Sequence, residues 1–328
     1  MKNKVILITG GTGSFGKIFV NYALKQNPKK IIIFSRDELK QFEMRKNYNK
    51  FQLKKLRFFI GDVRDYERVF YALKQVDYVI HAAALKQIDT CEYNPFEAIK
   101  TNIIGAQNII NASIERNIKK VIALSTDKAS SPINLYGATK LASDKLFIAA
   151  NYHRGSTGEK FSVVRYGNVF NSRGSVVPVF LNKVKTGEKF EITDPKMTRF
   201  NITLDEGVNF VGKCLEIMEG GELFVPKLSS FNITDLAKAI DEKKQIKIIG
   251  IRSGEKIHEE MISDNESNPI IDLKDFYVLL PDMKMVSWSK NKYLKTGKQM
   301  KEKFSYTSDN NKKFLNIKEL KKLIKDLS

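Results

Sequence analysis

Three observations predict a doubly wound, parallel α/β sheet followed by a smaller mixed lobe. Short apolar runs alternate with segments of helical periodicity through the first 125 residues, a glycine-rich turn follows the first run, and the alternation loosens after Asn168. Runs of Val, Ile and Phe without a polar alternate read as strands buried on both faces, which requires helices above and below.

The first strand is Val5–Thr9, and Phe15–Lys25 carries apolar residues at helical spacing behind it. Lys30–Phe34, Arg57–Gly61, Tyr78–His81 and Val121–Ser125 continue the strand series, separated by helices over Glu38–Asn47, Tyr66–Lys74 and Phe96–Arg116. A long helix over Leu135–Ala150 and a strand at Phe161–Tyr166 complete a domain of residues 1–168. Residues 169–328 form the second lobe, with helices expected at Val176–Lys185, Leu204–Met218, Thr234–Ile240 and Ile257–Ile262. Strands are expected there at Phe190–Thr193, Glu222–Val225, Lys247–Ile251 and Phe276–Leu280, and the tail Leu315–Leu327 reads as an amphipathic basic helix.

The chain has 328 residues, 42% of them hydrophobic, and 56 Lys plus Arg against 37 Asp plus Glu, for a net charge of +19. Such a charge invites a nucleic-acid role, but most of the basic residues are Lys and no five stand in a row. Groove readers depend on the planar Arg fork. Anionic small ligands on a solvated surface are the expectation, with no nucleic-acid partner. No apolar run reaches the ~18–20 residues of a membrane span, so no membrane insertion is expected. The first strand begins after four residues, leaving no room for a signal peptide, and Cys91 and Cys214 make no disulfide framework. A cytoplasmic setting follows. His81, His153 and His258 have no ligand spacing, and no metal is expected; His81 reads as a packing residue.

Gly10-Gly11-Thr12-Gly13-Ser14-Phe15-Gly16 joins the first strand to the first helix. Gly10, Gly13 and Gly16 permit a tight turn and a close backbone approach to a pyrophosphate at the helix N-terminus, which makes this a Rossmann-type dinucleotide site. The second strand ends in Ser35-Arg36-Asp37, with Lys40 one turn on, where an acid would favour NAD; Ser35 and Arg36 point to NADP. Asp62 and Val63 follow the third strand and flank the adenine. Ala82 belongs to a run of small residues where the chain passes close to the cofactor.

Tyr136 and Lys140, four apart on one helix, face the same side. An ammonium beside a phenol lowers its pKa and readies it to take a carbinol proton. Thr126 is positioned to share the substrate oxygen. Asp127 and Lys128 follow it, an acid and an amine that a simple reductase or 4-epimerase does not need. Removing water across C5–C6 of a 4-keto sugar does need them: Lys128 as the base at C5, Asp127 as the acid at the C6 hydroxyl. The amine must be neutral for this, a state that burial and a nearby Lys140 would favour.

With those residues in view, the chain resembles the extended short-chain dehydrogenases/reductases, specifically the inverting UDP-N-acetylglucosamine 4,6-dehydratases of pseudaminic acid biosynthesis. The matching stretches run nearly end to end: ITGGTGSFGK, SRDELKQ, FFIGDVRD, HAAALK, ALSTDKA, NLYGATK, VVRYGNV, SRGSVVP, MTRF, TLDEG, GEK and a late SDNN. Retaining relatives usually carry Glu at the position of Lys128, and a 5-epimerising group usually carries Met at that of Tyr136. The resemblance implies that Thr12, Gly13, Ser14 and Phe15 lie on the pyrophosphate and that Ser35, Arg36, Asp37, Glu38, Leu39 and Lys40 surround the adenosine phosphate. It puts Leu124 and Ser125 near the nicotinamide ribose and Val169 near the cofactor. Lys86, Asn168, Arg173, Gly174, Ser175, Val176, Val177, Arg199 and Arg252 are the implied contacts of a UDP-sugar. A homo-oligomer, dimer or hexamer, is also implied. Departures at Gln87–Cys91, Phe170-Asn171, Asn201 and Ser253 leave another N-acetylated hexose or another base open, and a retaining dehydratase, an epimerase and a dinucleotide-sensing regulator are the rival functions.

Overall fold

A computed structural model describes residues 1–155, 158–172, 174–266, 269–281, 291–300 and 303–326. The chain runs β1 (Val5–Thr9), α1 (Ser14–Lys25), β2 (Lys30–Ser35), α2 (Glu38–Lys46), α3 (Lys50–Lys55), β3 (Leu56–Ile60), α4 (Tyr66–Ala72) and β4 (Tyr78–His81). Next come α5 (Ile88–Tyr93), α6 (Pro95–Ile99), a π-helical turn at Lys100–Ile104, α7 (Gly105–Glu115), β5 (Lys120–Thr126), a 3₁₀ turn at Asp127–Ala129, α8 (Leu135–His153) and β6 (Lys160–Tyr166). The second half holds α9 (Val176–Thr186), β7 (Phe190–Ile192), β8 (Thr198–Asn201), α10 (Leu204–Ile217), β9 (Leu223–Pro226), β10 (Ser229–Asn232), α11 (Ile233–Ile240) and β11 (Ile246–Ile248). It closes with β12 (Glu260–Ile262), β13 (Ile270–Asp272), β14 (Phe276–Leu279), α12 (Asn291–Leu294), β15 (Lys298–Gln299), β16 (Tyr306–Thr307) and α13 (Ile317–Lys325).

The main sheet has the order β15-β13-β14-β9-β6-β5-β4-β1-β2-β3 among the described residues. Strands β3, β2, β1, β4, β5, β6 and β9 are parallel, with Leu7 level with Ile32 and Val79. Successive residues of β1 therefore feed opposite cores. Leu7 joins Phe34, Val79, Val121 and Ile109 on one face, while Ile6 and Ile8 join Ile33, Ile80, Phe19 and Val211 on the other. Strands β9, β14, β13 and β15, all from beyond residue 168, extend this same sheet. A third core, built from Phe180, Phe190, Met197, Phe231, Leu236 and Leu320, holds the lobe beside it.

Local chemistry sets the boundaries. Asp37, Asp65 and Asn134 accept the amides of Lys40, Arg68 and Gly137 and so start α2, α4 and α8. Thr203 and Glu206 form a capping box at α10, and Gly187, at φ 79°, ends α9.

Two elements differ from expectation. The helix expected over Phe96–Arg116 is helical through Glu115 but takes in a π-helical turn, which buries the consecutive Thr101 and Asn102. The Asn102 side chain there accepts the Leu85 amide at 2.9 Å and donates to the Leu85 carbonyl at 2.9 Å and to Thr139 Oγ1 at 3.0 Å. Ile257–Ile262 is not a helix. Thr198 donates its amide to the Ile257 carbonyl and Glu260–Ile262 pairs antiparallel with Tyr306–Thr307, so the backbone is satisfied by neighbouring strands.

Candidate active site

At the nucleotide end, Gly10 has φ +65°, and a Cβ there would lie 2.9 Å from the Ala82 carbonyl oxygen. A Cβ on Gly16 would collide with the backbone of Gly11. Gly13 is the N-cap of α1, no side chain caps that helix, and its first turn carries no acid. Its leading amides therefore face outward with the positive end of the helix behind them, which fits a dinucleotide pyrophosphate. Thr12 is buried beside that turn, while Ser14 is exposed.

At the end of β2, Gln41 Nε2 donates to Ser35 Oγ and to the Ser35 carbonyl, both at 3.0 Å, which fixes the serine. Arg36 is exposed, with a nitrogen 3.5 Å from Asp62 Oδ2. Asp62 is also gripped by Arg64 at 2.7 Å; burial alone would raise its pKa, but the two guanidiniums hold it below the usual carboxylate range. Lys40 pairs with Asp37 at 2.5 Å. Glu38 and Leu39 are exposed at the start of α2, and Val63 is buried against the sheet.

The chemistry-bearing residues cluster where β5 ends. Thr126 Oγ1 donates to Asp127 Oδ1 at 2.8 Å, and Lys128 Nζ lies 3.2 Å from the same oxygen. A second carboxylate, Glu259, receives Lys128 Nζ at 3.1 Å, and Asn168 Oδ1 is 3.5 Å away. Asp127 is 1% exposed, and its Oδ2 is buried without a hydrogen-bond partner among the described residues. Burial and the Glu259 charge raise its pKa against the pull of Lys128. For Lys128, burial would lower the pKa, but Asp127 and Glu259 outweigh it and the amine is held protonated. This corrects the expectation of an amine neutralised by Lys140: two carboxylates lie against Lys128 and outweigh both its burial and the Arg199 charge.

Tyr136 is the second residue of α8, half-buried. Burial outweighs the Lys128 charge and a hydrogen bond with Thr126, so its phenol is pushed up to about 12. Lys140 is 3% exposed; burial lowers it and Asp144, one turn on, raises it. Asp144 in turn accepts Ser125 Oγ at 2.7 Å. Leu124 and Val169 pack against the core face that holds Tyr166 and Phe15.

Beside this cluster opens a cavity of about 350 Å³, lined by Lys128, Asn168, Gly174, Arg199, Arg252 and Glu259 among others. Ser175, Val176 and Val177 line it from the N-terminal end of α9. Arg252 is exposed at its wall. Lys86, which does not line the cavity, has its pKa lowered by partial desolvation and by the Lys128 charge. Arg173 lies outside the described residues. Arg199 is 7% exposed and built into the wall: it donates to the carbonyls of Thr198 at 2.7 Å, Ile257 at 2.9 Å and Lys256 at 3.0 Å. It also pairs with Glu259 at 3.5 Å and Glu255 at 3.6 Å, so a diphosphate contact there requires one of these partners to give way.

Sequence reasoning passed over Glu259 and Asp144. Asp144 had a signal, four residues beyond Lys140 on the same helix face. Glu259 had none, because its partner is 131 residues away.

Comparisons with known proteins identify the family and the fold. The family described as polysaccharide biosynthesis protein matches residues 6–281. A UDP-N-acetylglucosamine 4,6-dehydratase (inverting) of Campylobacter jejuni is 54% identical over 327 residues, 98% of this chain and 97% of the relative. A UDP-glucose 4-epimerase of Rickettsia conorii is 44% identical, over 98% of this chain and 95% of its own. Among solved structures, Pen from Bacillus thuringiensis superimposes with a TM-score of 0.89 at 38% identity, covering 99% of both chains. The dTDP-glucose 4,6-dehydratase of Streptomyces venezuelae with NAD bound shares the fold, with a TM-score of 0.68 at 20% identity over 77% of this chain and 86% of that one. The chain belongs to the polysaccharide biosynthesis protein family, and its architecture is that of the extended short-chain dehydrogenases/reductases.

Proposed function

We propose that this chain is an inverting UDP-N-acetylglucosamine 4,6-dehydratase working with NADP. One observation carries the reading: an acid and an amine, Asp127 and Lys128, sit 3.2 Å apart directly after Thr126, and Lys128 lines the cavity beside them. The 54% identical relative of that name supports the same conclusion.

Gly10, Gly13, Gly16 and the α1 amides would hold the dinucleotide, with Ser35 and Arg36 at its adenosine end. The bound cofactor supplies the hydride acceptor for C4 and the hydride donor for C6. The protein moves the protons. Tyr136 takes the C4 hydroxyl proton, with Thr126 fixing the oxygen and the positive charge of Lys128 favouring the phenolate. A C4 carbonyl acidifies the C5 hydrogen, which the Lys128 amine removes once it has passed its own proton to Asp127, 3.2 Å away. Asp127, whose raised pKa suits an acid, gives a proton to the departing C6 oxygen. Return of a proton to the opposite face of C5 inverts that carbon. The lobe around the third core contributes the cavity walls for the sugar nucleotide.

The test is proton NMR of the purified protein with UDP-N-acetylglucosamine in D2O. A 4-keto-6-deoxy product carrying deuterium at C5, formed without added cofactor, is the expected result. Recovery of the starting sugar, or of a 4-epimer that keeps its C6 hydroxyl, removes the reading and favours the epimerase chemistry named for the Rickettsia relative.

A further inference from the structure

We propose that Glu259 is the positioning residue of Lys128, and that the late Ser308 anchors it in place. The inference rests on the reading of Lys128 as the group that acts at C5.

Glu259 comes from the segment before β12, far from the turn that bears Lys128, yet its Oε1 is 3.1 Å from Lys128 Nζ. The residue is 2% exposed, it lines the cavity, and its Oε2 is buried with no hydrogen-bond partner among the described residues. Burying a carboxylate in this way is costly unless it is paired, so the ion pair with Lys128 is what permits it. Arg199 Nε, 3.5 Å from the same oxygen, is a second cation on the carboxylate. Glu259 therefore fixes where the amine points, between Asp127 and the cavity.

The backbone of Glu259 is held as firmly as its side chain. Ser308 Oγ accepts the Glu259 amide at 2.9 Å, and the Ser308 amide donates to the Glu259 carbonyl at 2.7 Å. The same hydroxyl is 2.7 Å from Thr198 Oγ1 and 3.2 Å from the Thr198 carbonyl, and Thr198 Oγ1 is 2.8 Å from His258 Nδ1. Ser308 opens the SDNN stretch, and it joins the strand bearing Arg199 to the segment bearing Glu259. That gives the late motif its task. It sets the register of the two groups that frame the amine.

The charged and titratable groups around Lys128 come from five places: Asp127 on its own turn, Glu259, Arg199 on β8, Tyr136 on α8 and Lys86 after β4. Removing the Glu259 charge takes away one of the two carboxylates that keep the amine protonated. The pH at which Lys128 loses its proton then falls.

The experiment measures C5 deuterium incorporation and dehydration against pH for wild type, Glu259→Gln and Ser308→Ala, with folding checked by circular dichroism. Gln keeps the side-chain shape and leaves the backbone clasp intact. Glu259→Gln is expected to move the limb assigned to Lys128 to lower pH by at least one unit and to cut kcat roughly tenfold or more with little change in KM. Ser308→Ala keeps every charge, so it is expected to lower kcat several-fold with the limb in place. A folded Glu259→Gln protein with the wild-type limb overturns the proposal. If that variant does not fold, an unchanged kcat in Ser308→Ala overturns it instead. A wild-type protein that forms no 4-keto-6-deoxy sugar defeats the dehydratase reading itself, a separate outcome.

Discussion

Thr9 Oγ1 lies 2.9 Å from His81 Nδ1 and accepts the backbone amides of Ala82 and Ala83, each at 3.1 Å. With its lone pairs taken by two amides, the hydroxyl must direct its hydrogen at Nδ1, so the imidazole is neutral and carries its hydrogen on Nε2. This contact ties the ends of β1 and β4 together under Gly10, the first glycine of the nucleotide turn.

The same contact makes the fold acid-sensitive. His81 is 1% exposed, and burial, with Lys140 nearby, lowers its pKa to about 3. The unfolded chain takes up a proton near pH 6.5 and the folded one does not. The contribution is therefore intact above about pH 6.5 and is lost as pH falls, by about 1.4 kcal/mol per pH unit. His81→Asn, whose amide can still accept from Thr9, is expected to flatten the decline by about 2 kcal/mol between pH 6.5 and 5. Urea midpoints at the two pH values measure this, and parallel slopes for the two proteins would assign the acid sensitivity to other groups.

A second buried network ties α8 to β12 and the segment after it. Arg165 is 1% exposed; its Nη2 is 3.5 Å from Asp144 Oδ2, and its Nη1 donates to the Met261 carbonyl at 2.9 Å and to Glu266 at 3.0 Å. Arg165→Met leaves the buried Asp144 carboxylate facing Lys140 without its guanidinium and strands the Met261 carbonyl beside the Glu259 segment. Breaking a buried pair from one side costs roughly 3–5 kcal/mol. Asp144, already raised by burial, rises further without Arg165, so the folded variant binds a proton more readily than wild type does. The loss measured by denaturant unfolding is accordingly expected to be smaller at pH 5 than at pH 8. An equal loss at both would mean that Asp144 keeps its charge without Arg165.

What could be read from the sequence was local. Strand–glycine–helix spacing identifies the nucleotide turn, and the interval from Tyr136 to Lys140 identifies their shared helix face, because both depend on residues within a few positions. The apolar spacing of Ile257, Met261 and Ile262 suggested a helix, but hydrogen bonds from β8 and β16, made by residues about 50 or more positions away, set that backbone as extended. Protonation was misjudged for the same reason. Lys128 beside Asp127 and near Lys140 in sequence gave no sign of Glu259, and that distant carboxylate helps decide the charge of the amine. The expected diphosphate role of Arg199 likewise could not reveal the three carbonyls that occupy its fork.

The choice between NADP and NAD turns on Arg36. Its guanidinium is exposed at the end of β2, 3.5 Å from Asp62 Oδ2, and Asp62 keeps a shorter contact with Arg64 at 2.7 Å. An exposed pair of this length contributes little, about 0–1 kcal/mol, so Arg36 can exchange Asp62 for an incoming phosphate at small cost while Arg64 continues to neutralise the acid. A guanidinium bound to a phosphate gains a charge-assisted bond that a ribose hydroxyl does not offer. Arg36→Ala is therefore expected to weaken NADPH binding roughly tenfold or more and to leave NADH within about twofold. Titration of protein stripped of its cofactor, followed by nicotinamide fluorescence, gives both constants. Equal loss for the two nucleotides would assign Arg36 to the fold of the β2 end and remove the basis for preferring NADP.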